Sequence, residues 1–252
     1  NAEIIWSLDF AKDITGQFEP AFPDAAFAGN NYWRPSLFNP RLRDEPANAD
    51  EKDALVDALA ANGEEFNGTG LQIASLDFAN KFPMNDLRRP LNIMGAYEGI
   101  ELNFTYLPKF MNLDFENSPR FNHGDNRMVF RLADVYLMAA ECENELNGPA
   151  GAFQYLNPIR QRAYETQAEW DLTGLDQQGF REAIYDERKW ELAAEATRRY
   201  DLIRWGIYLD VVRNAEFRTY SPNENIQDYH VLLPIPLNQL QLNPNLTQNP
   251  GY

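Results

Sequence analysis

Three glutamates, Glu187, Glu191 and Glu195, stand four residues apart in "ERKWELAAEATRRYDLIRWG". On a helix that spacing puts all three on one face, with Arg199 at the next step if the helix continues. Stacked like charges oppose a helix unless cations meet them. The segment therefore predicts a charged helix face pressed against another part of the chain. Arg188, Arg198, Arg199 and Arg204 are the guanidiniums within the segment, and bidentate guanidinium–carboxylate pairs suit the joining of packed helices. The expected structural ion network is Glu187, Arg188, Glu191, Glu195, Arg199, Asp201 and Arg204. The same carboxylates could instead serve catalysis, and the rest of the chain bears on that choice.

The second half of the chain reads as paired helices. In "RMVFRLADVYLMAAECENELNG" apolar residues recur at Met128, Leu132, Val135, Ala139, Cys142 and Leu146, a helical stripe closed by Asn147-Gly148. That stripe is the expected core face, with Cys142 a small buried residue. "PAGAFQYLNPIRQRA" follows as a partner helix, in which Pro158 must kink the helix or open a new turn capped by Asn157. "QQGFREAIYDERKWELAAEA" and "TRRYDLIRWGIYLDVV" supply a second pair, a tetratricopeptide-like arrangement without a plain 34-residue repeat. Pro234, Pro236, Pro244 and Pro250 forbid a long helix at the C-terminus, which is expected to form an extended strap.

The first half differs. Ile4, Trp6, Leu8 and Phe10 alternate as in a half-buried strand, and "ELNFTYL" is a second strand candidate. Between Ala11 and Asp50 five prolines and many aromatics predict ordered loop. "DEKDALVDALAANG" reads as a short helix capped by Asp50 and stopped at Gly63. The expectation is thus a mostly α fold of tetratricopeptide-like helix hairpins with long ordered loops and minor short strands. Residues 1–126 form a loop-rich, ligand-facing region, and residues 127–252 a helical scaffold with its strap. Trp6, Trp205, Trp190 and Trp170 are expected in the core or in helix packing.

Composition excludes several functions. A net charge of −16 repels phosphate backbones and anionic lipid, so no nucleic-acid partner is expected. One cysteine allows no intrachain disulfide, and the two histidines, His123 and His230, have no partner at ligand spacing, so neither metal nor cofactor is expected. No apolar run reaches the roughly 20 residues of a membrane-spanning helix. The abrupt opening "NAEIIWSLDF" suggests a processed or partial chain. No nucleophile elbow, phosphate loop or zinc-protease motif occurs, and "GTGLQI" lacks the third glycine of a dinucleotide loop. Glycoside hydrolysis needs two carboxylates across an open cleft, and carboxylates flanked by arginines have lowered pKa values that suit them poorly to acid catalysis. No catalytic residue is expected.

Three blocks carry a resemblance: "RLADVYLMAAECENELNG" with "YLNPIRQRA", then "ERKWELAAEATRRYDLIRWG", then "LLPIPLNQLQLNPNLTQNPGY". In this order they resemble the SusD/RagB family of outer-membrane nutrient-binding lipoproteins, with "EIIWSLDF", "DLRRP" and "YLPKF" fitting upstream. The resemblance implies a tetratricopeptide-based protein on the cell surface of a Gram-negative bacterium. There it would bind oligosaccharide or polysaccharide and act as a lid on a TonB-dependent, SusC-like transporter in the outer membrane, breaking no bond. Family members are about twice this length, and the part bearing the lipid-attachment cysteine has no counterpart here, so membrane contact is expected only through an anchor outside this chain. The resemblance also favours a structural lock as the role of the glutamate row.

A sugar site needs flat aromatic surface beside planar hydrogen-bonding groups. "FPDAAFAGNNYWRPSLFNP" offers Phe27, Asn30, Asn31, Tyr32, Trp33 and Arg34, in the region where the resemblance places ligand-contacting loops. These six are the expected ligand-binding residues; Tyr220, Asn223, Asn225 and Tyr229 form a weaker second cluster. Peptide capture of the RagB kind, or a helical-repeat module that binds protein through a groove without aromatic loops, are the alternative readings. A hydrolase ranks last.

Overall fold

The computed structural model describes residues 3–8, 37–46, 48–66, 68–114, 127–217 and 222–252. The chain divides into two units, residues 1–74 with 78–196, and residues 75–77 with 197–252. The sequence boundary at 126/127 falls inside the first of these. The fold is mostly α with few short strands.

In the first unit, β1 (Ile4–Leu8) pairs antiparallel with the strand Arg127–Arg131 that leads into the helices, with Ile4 opposite Arg131 and Trp6 opposite Phe130. Trp6 was expected in the core but is 52% exposed, stacked on Phe130 at 6.0 Å between centroids. A two-stranded ribbon on its own covers little of its surface, and the neighbouring Ile5 and Val129 are exposed along with Trp6 and Phe130. The helix α1 (Ala49–Ala61) starts two residues earlier than expected, because Asn48 rather than Asp50 caps it, accepting the Glu51 N–H at 2.9 Å. Leu55 and Leu59 of this helix meet Phe66, Leu102 and Tyr106 in a small core. The last two come from β3 (Ile100–Tyr106), which forms a hairpin with β2 (Met94–Tyr97). Its turn, Glu98-Gly99, has positive φ at both residues, as a two-residue hairpin of right-handed twist requires.

The main core lies among three helices: α2 (Leu132–Asn147), α3 (Pro149–Ala163) and α4 (Gln177–Glu191). Gly148 alone joins α2 to α3, at φ 87°, where a side chain would be strained, and Pro149 opens α3 without losing a bond. Ala133, Leu137, Ala140, Ala152, Leu156, Phe180 and Ile184 fill the contact, the alanines letting the helices approach closely. Pro158 neither stops α3 nor starts a new turn, and the helix runs through it to Ala163. Trp190 is buried against Phe78 and Phe82.

One expectation about α2 is reversed. The stripe read as core-facing, Leu132, Val135, Cys142 and Leu146, points outward, while Ala133, Leu137, Ala140 and Asn144 face the core. This helix is apolar on two opposite sides, so periodicity identifies it without saying which side is covered. Cys142 is accordingly exposed, not buried.

The glutamate helix also ends early. Beyond Glu191 the chain turns, with Ala194 and Ala196 at φ 63° and 65°. A side-chain-bearing residue in that region costs about 1–2 kcal/mol, more than the entropy glycine adds to the unfolded chain. Ala196 is exposed and loses no packing, so Ala196→Gly is expected to stabilise the protein by up to about 1 kcal/mol in chemical denaturation, and a loss of stability would show that the turn gains something else from its alanine.

The second unit contains α5 (Arg198–Arg204), α6 (Tyr208–Asn214) and a C-terminal strap with only the six-residue α7 (Leu237–Leu242). The strap is held by side chains standing in for a ladder. Gln248 accepts the Ile235 N–H at 2.8 Å and donates to its carbonyl at 3.0 Å, and the Tyr252 hydroxyl donates to the Leu232 carbonyl at 2.9 Å. Among the described residues no helix is long and apolar enough to cross a membrane.

Candidate functional site

The glutamate row meets cations, but chiefly from outside its own segment. Glu187 is fully buried and takes Arg88 at 2.6 Å and Arg160 at 2.8 Å, one on each oxygen. Glu191 takes Arg88 at 2.7 Å, Arg131 at 3.0 Å and Arg162 at 2.5 Å. Glu195 takes Arg131 through two nitrogens, at 2.9 and 2.7 Å, and Lys109 at 2.5 Å. Arg88 is also gripped bidentately by Asp86 at 2.9 and 2.7 Å, while Arg131 and Arg162 share Glu3. Among the described residues five carboxylates thus face five cations, contributed by the residue before β1, the "DLRRP" turn, "YLPKF", the start of α2, the end of α3, the end of α4 and the turn after it.

Position explains why so many cations are needed. Glu187 and Glu191 occupy the last turn of α4, where the helix dipole is negative and opposes carboxylates. Burial alone would raise the Glu191 pKa, but Arg88, Arg131 and Arg162 outweigh it and hold the carboxyl at about 2. Burial likewise opposes the charge on Arg88, and Glu187, Asp86 and Glu191 override that and push its pKa up. Lys109 goes the other way: its burial prevails over Glu195 and lowers its pKa.

Several expected members of the network sit elsewhere. Arg188 is buried and pairs with Asp134 at 2.9 Å, on the opposite flank of α4. Arg204 pairs with Asp201 three residues before it, in the second unit. Arg199 donates to the His230 carbonyl at 2.7 Å and lies 5.1 Å from the Tyr208 ring, because the turn after Glu191 breaks the helical register that would have continued the row. Arg88, Lys109, Arg131, Arg160 and Arg162 were not anticipated. Their signal was available in "DLRRP", "YLPKF" and the paired arginines of "NPIRQRA", each a cation embedded among apolar residues, but no local spacing links them to glutamates 27 to 103 positions away.

A second buried acid, Glu45, is held by neutral donors among the described residues. It accepts from the Asn103 and Phe104 N–H groups, the latter at 3.0 Å, and from the Tyr106 hydroxyl at 2.8 Å. Burial raises its pKa, and these three donors oppose the rise without cancelling it. With no exposed surface it fixes the hairpin to the loop before α1 and offers nothing to a substrate.

The six expected ligand residues, Phe27, Asn30, Asn31, Tyr32, Trp33 and Arg34, lie outside the described residues, as do His123 and Tyr220. Of the second cluster, Asn223 and Asn225 lie on a one-turn helix, while Tyr229 packs edge-on against Tyr252 at 5.0 Å and beside His230. No group of three or more histidine, cysteine, aspartate or glutamate side chains that could hold a metal ion occurs among the described residues.

Comparison with known proteins agrees with this architecture. Residues 94–252 match the SusD family. SusD-like protein P25 of Formosa agariphila is 68% identical over the whole chain, which spans 50% of that protein. Starch-binding protein SusD of Bacteroides thetaiotaomicron is 30% identical over 49% of the chain and 21% of its own length. Surface glycan-binding protein A from Bacteroides thetaiotaomicron in complex with laminarihexaose shares the fold at a TM-score of 0.69 and 21% identity, covering 98% of this chain and 52% of that one. On the family match, which takes in the hairpins, the glutamate row and the strap, this chain belongs to the SusD family.

Proposed function

We propose that this chain belongs to a cell-surface protein that binds oligosaccharide or polysaccharide and delivers it to a TonB-dependent, SusC-like transporter of a Gram-negative outer membrane, without cleaving it. The observation that supports a binding role over a hydrolytic one is the state of the glutamate row. Glu187 and Glu191 are buried, all three glutamates are ion-paired, and Glu191 is held at a pKa of about 2, far below the raised value a general acid needs, so the row lacks the open approach of a hydrolytic site. A sequence relative is named a starch-binding protein, and a protein of the same fold has been solved in complex with laminarihexaose.

Trp33, with Tyr32, Asn30, Asn31, Arg34 and Phe27, is the proposed contact surface for the sugar face. Calorimetry against a panel of oligosaccharides, followed by chromatography of the mixture, tests both parts. Saturable binding with the oligosaccharide recovered intact is expected, and Trp33→Ala should weaken it roughly tenfold, the loss of one stacking contact. Released shorter products would replace the binding role with an enzymatic one. Unchanged affinity in Trp33→Ala would move the site elsewhere.

A further inference from the structure

The joint between α2 and α3 carries a reactive pair of residues. The sequence holds three Asn-Gly pairs, Asn62-Gly63, Asn67-Gly68 and Asn147-Gly148. In such a pair the glycine nitrogen can attack the carbonyl carbon of the asparagine side chain, because no Cβ shields its approach. The nitrogen gives its proton to water or hydroxide, a new C–N bond closes a succinimide ring, and the side-chain nitrogen leaves as ammonia. Water then opens the ring at either carbonyl. One opening gives aspartate; the other gives isoaspartate, in which the main chain runs through the former side chain and is one methylene longer.

The fold grades the three pairs. Gly68 is buried, its N–H is given to the Pro40 carbonyl at 3.0 Å, and the Asn39 carbonyl fills the place where a side chain would start, so its nitrogen is held fast. The Asn62 carboxamide donates to the Tyr97 hydroxyl at 3.0 Å, which ties down the group under attack. Asn147 has neither restraint. It is exposed, its carboxamide has no hydrogen-bond partner among the described residues, and open space surrounds Gly148. The Gly148 N–H is held by the Asn144 carbonyl at 3.0 Å, a terminal bond that opens when the end of α2 frays. We infer that Asn147-Gly148 is a site of spontaneous modification, at which the folded chain converts asparagine to isoaspartate and aspartate with loss of ammonia. The position gives the conversion its consequence. Gly148 alone separates α2 from α3, so a methylene added there shifts α3 along the contact that Ala140, Ala152 and Leu156 fill. Either product also adds a negative charge to the last turn of α2, where the helix dipole opposes it and Glu145 already stands.

The experiment ages the folded 252-residue chain in mildly alkaline buffer and follows each asparagine by peptide mapping with mass spectrometry, beside a sample unfolded in urea. In the folded chain Asn147 is expected to convert roughly fivefold faster than Asn62, the ratio that one hydrogen bond of ordinary strength supplies. The unfolded sample should convert the three pairs alike, which assigns the ranking to the fold. Aged protein should unfold at lower urea than fresh protein. Asn147→Gln, whose longer side chain closes the ring far more slowly, should keep its fresh stability through the same treatment. Conversion of Asn62 or Asn67 ahead of Asn147 in the folded chain would overturn the proposal. So would an Asn147 that stays intact in the folded chain until the unfolded sample has fully converted.

Discussion

Replacing Arg88 with alanine is expected to cost about 3–5 kcal/mol, the loss seen when one partner of a buried ion pair is removed and the other charges remain. Arg88 serves three acids at once: Asp86 through two nitrogens, and Glu187 and Glu191 through a third. Glu187 and the Asp86 side chain are without exposed surface, so water cannot take over from the guanidinium. Against a total stability of roughly 5–15 kcal/mol for a domain, this loss decides whether the fold survives. Arg88→Lys keeps the charge but not the fork, and should fall between the parent and Arg88→Ala. The exposed pair of Arg181 and Glu145 supplies the contrast: it has the same chemistry, at 2.6 Å, but stands in water, and Arg181→Ala should cost far less. Urea denaturation of the three variants gives the comparison. A loss in Arg88→Ala no larger than that in Arg181→Ala would mean the network contributes little to stability.

The unequal legibility of the chain follows from the range of the interactions. The helix pairs were readable because their signals are local: a glycine after Asn147, a proline at the first position of α3, and apolar residues at helical spacing. The strands were readable from alternation in "EIIWSL" and "ELNFTYL". What failed in several places was the question of which side faces what, although Trp190 is buried as expected. Trp6 and Cys142 are both in apolar patterns, yet both are exposed, since a pattern does not say how many neighbours the fold supplies. The glutamate row was recognised as paired, but its partners were sought within the same segment. Arg88 lies 99 residues before Glu187, and only the packing of α3 and α4 against the "DLRRP" turn makes them neighbours. Ala194 and Ala196 hide the end of α4 in the same way, as alanine is the residue least suggestive of a helix stop.

The depressed pKa of Glu191 makes the lock sensitive to acid. Its carboxyl titrates near 4.5 when unpaired and at about 2 in the folded chain. The folded state therefore binds fewer protons between those values, and its stabilisation, complete above about pH 4.5, is lost as the pH falls toward 2. A separation of that size corresponds to about 3 kcal/mol at 1.36 kcal/mol per pKa unit. Glu45 acts with the opposite sign. Its raised pKa means that the folded state holds its proton longer than the unfolded chain does, so its contribution favours folding in acid and fades as the pH rises above the unfolded value of 4.5. The larger shift belongs to Glu191, and the net expectation is a fall in stability through the acid range. Urea denaturation at steps between pH 6 and pH 2.5 measures the slope, and the same series on Glu191→Gln isolates the residue. The variant should start from a lower stability, having lost a charge that three arginines share, and should show a shallower acid limb. Parallel slopes in the two proteins would place the acid sensitivity on other carboxylates and remove Glu191 from the centre of the lock.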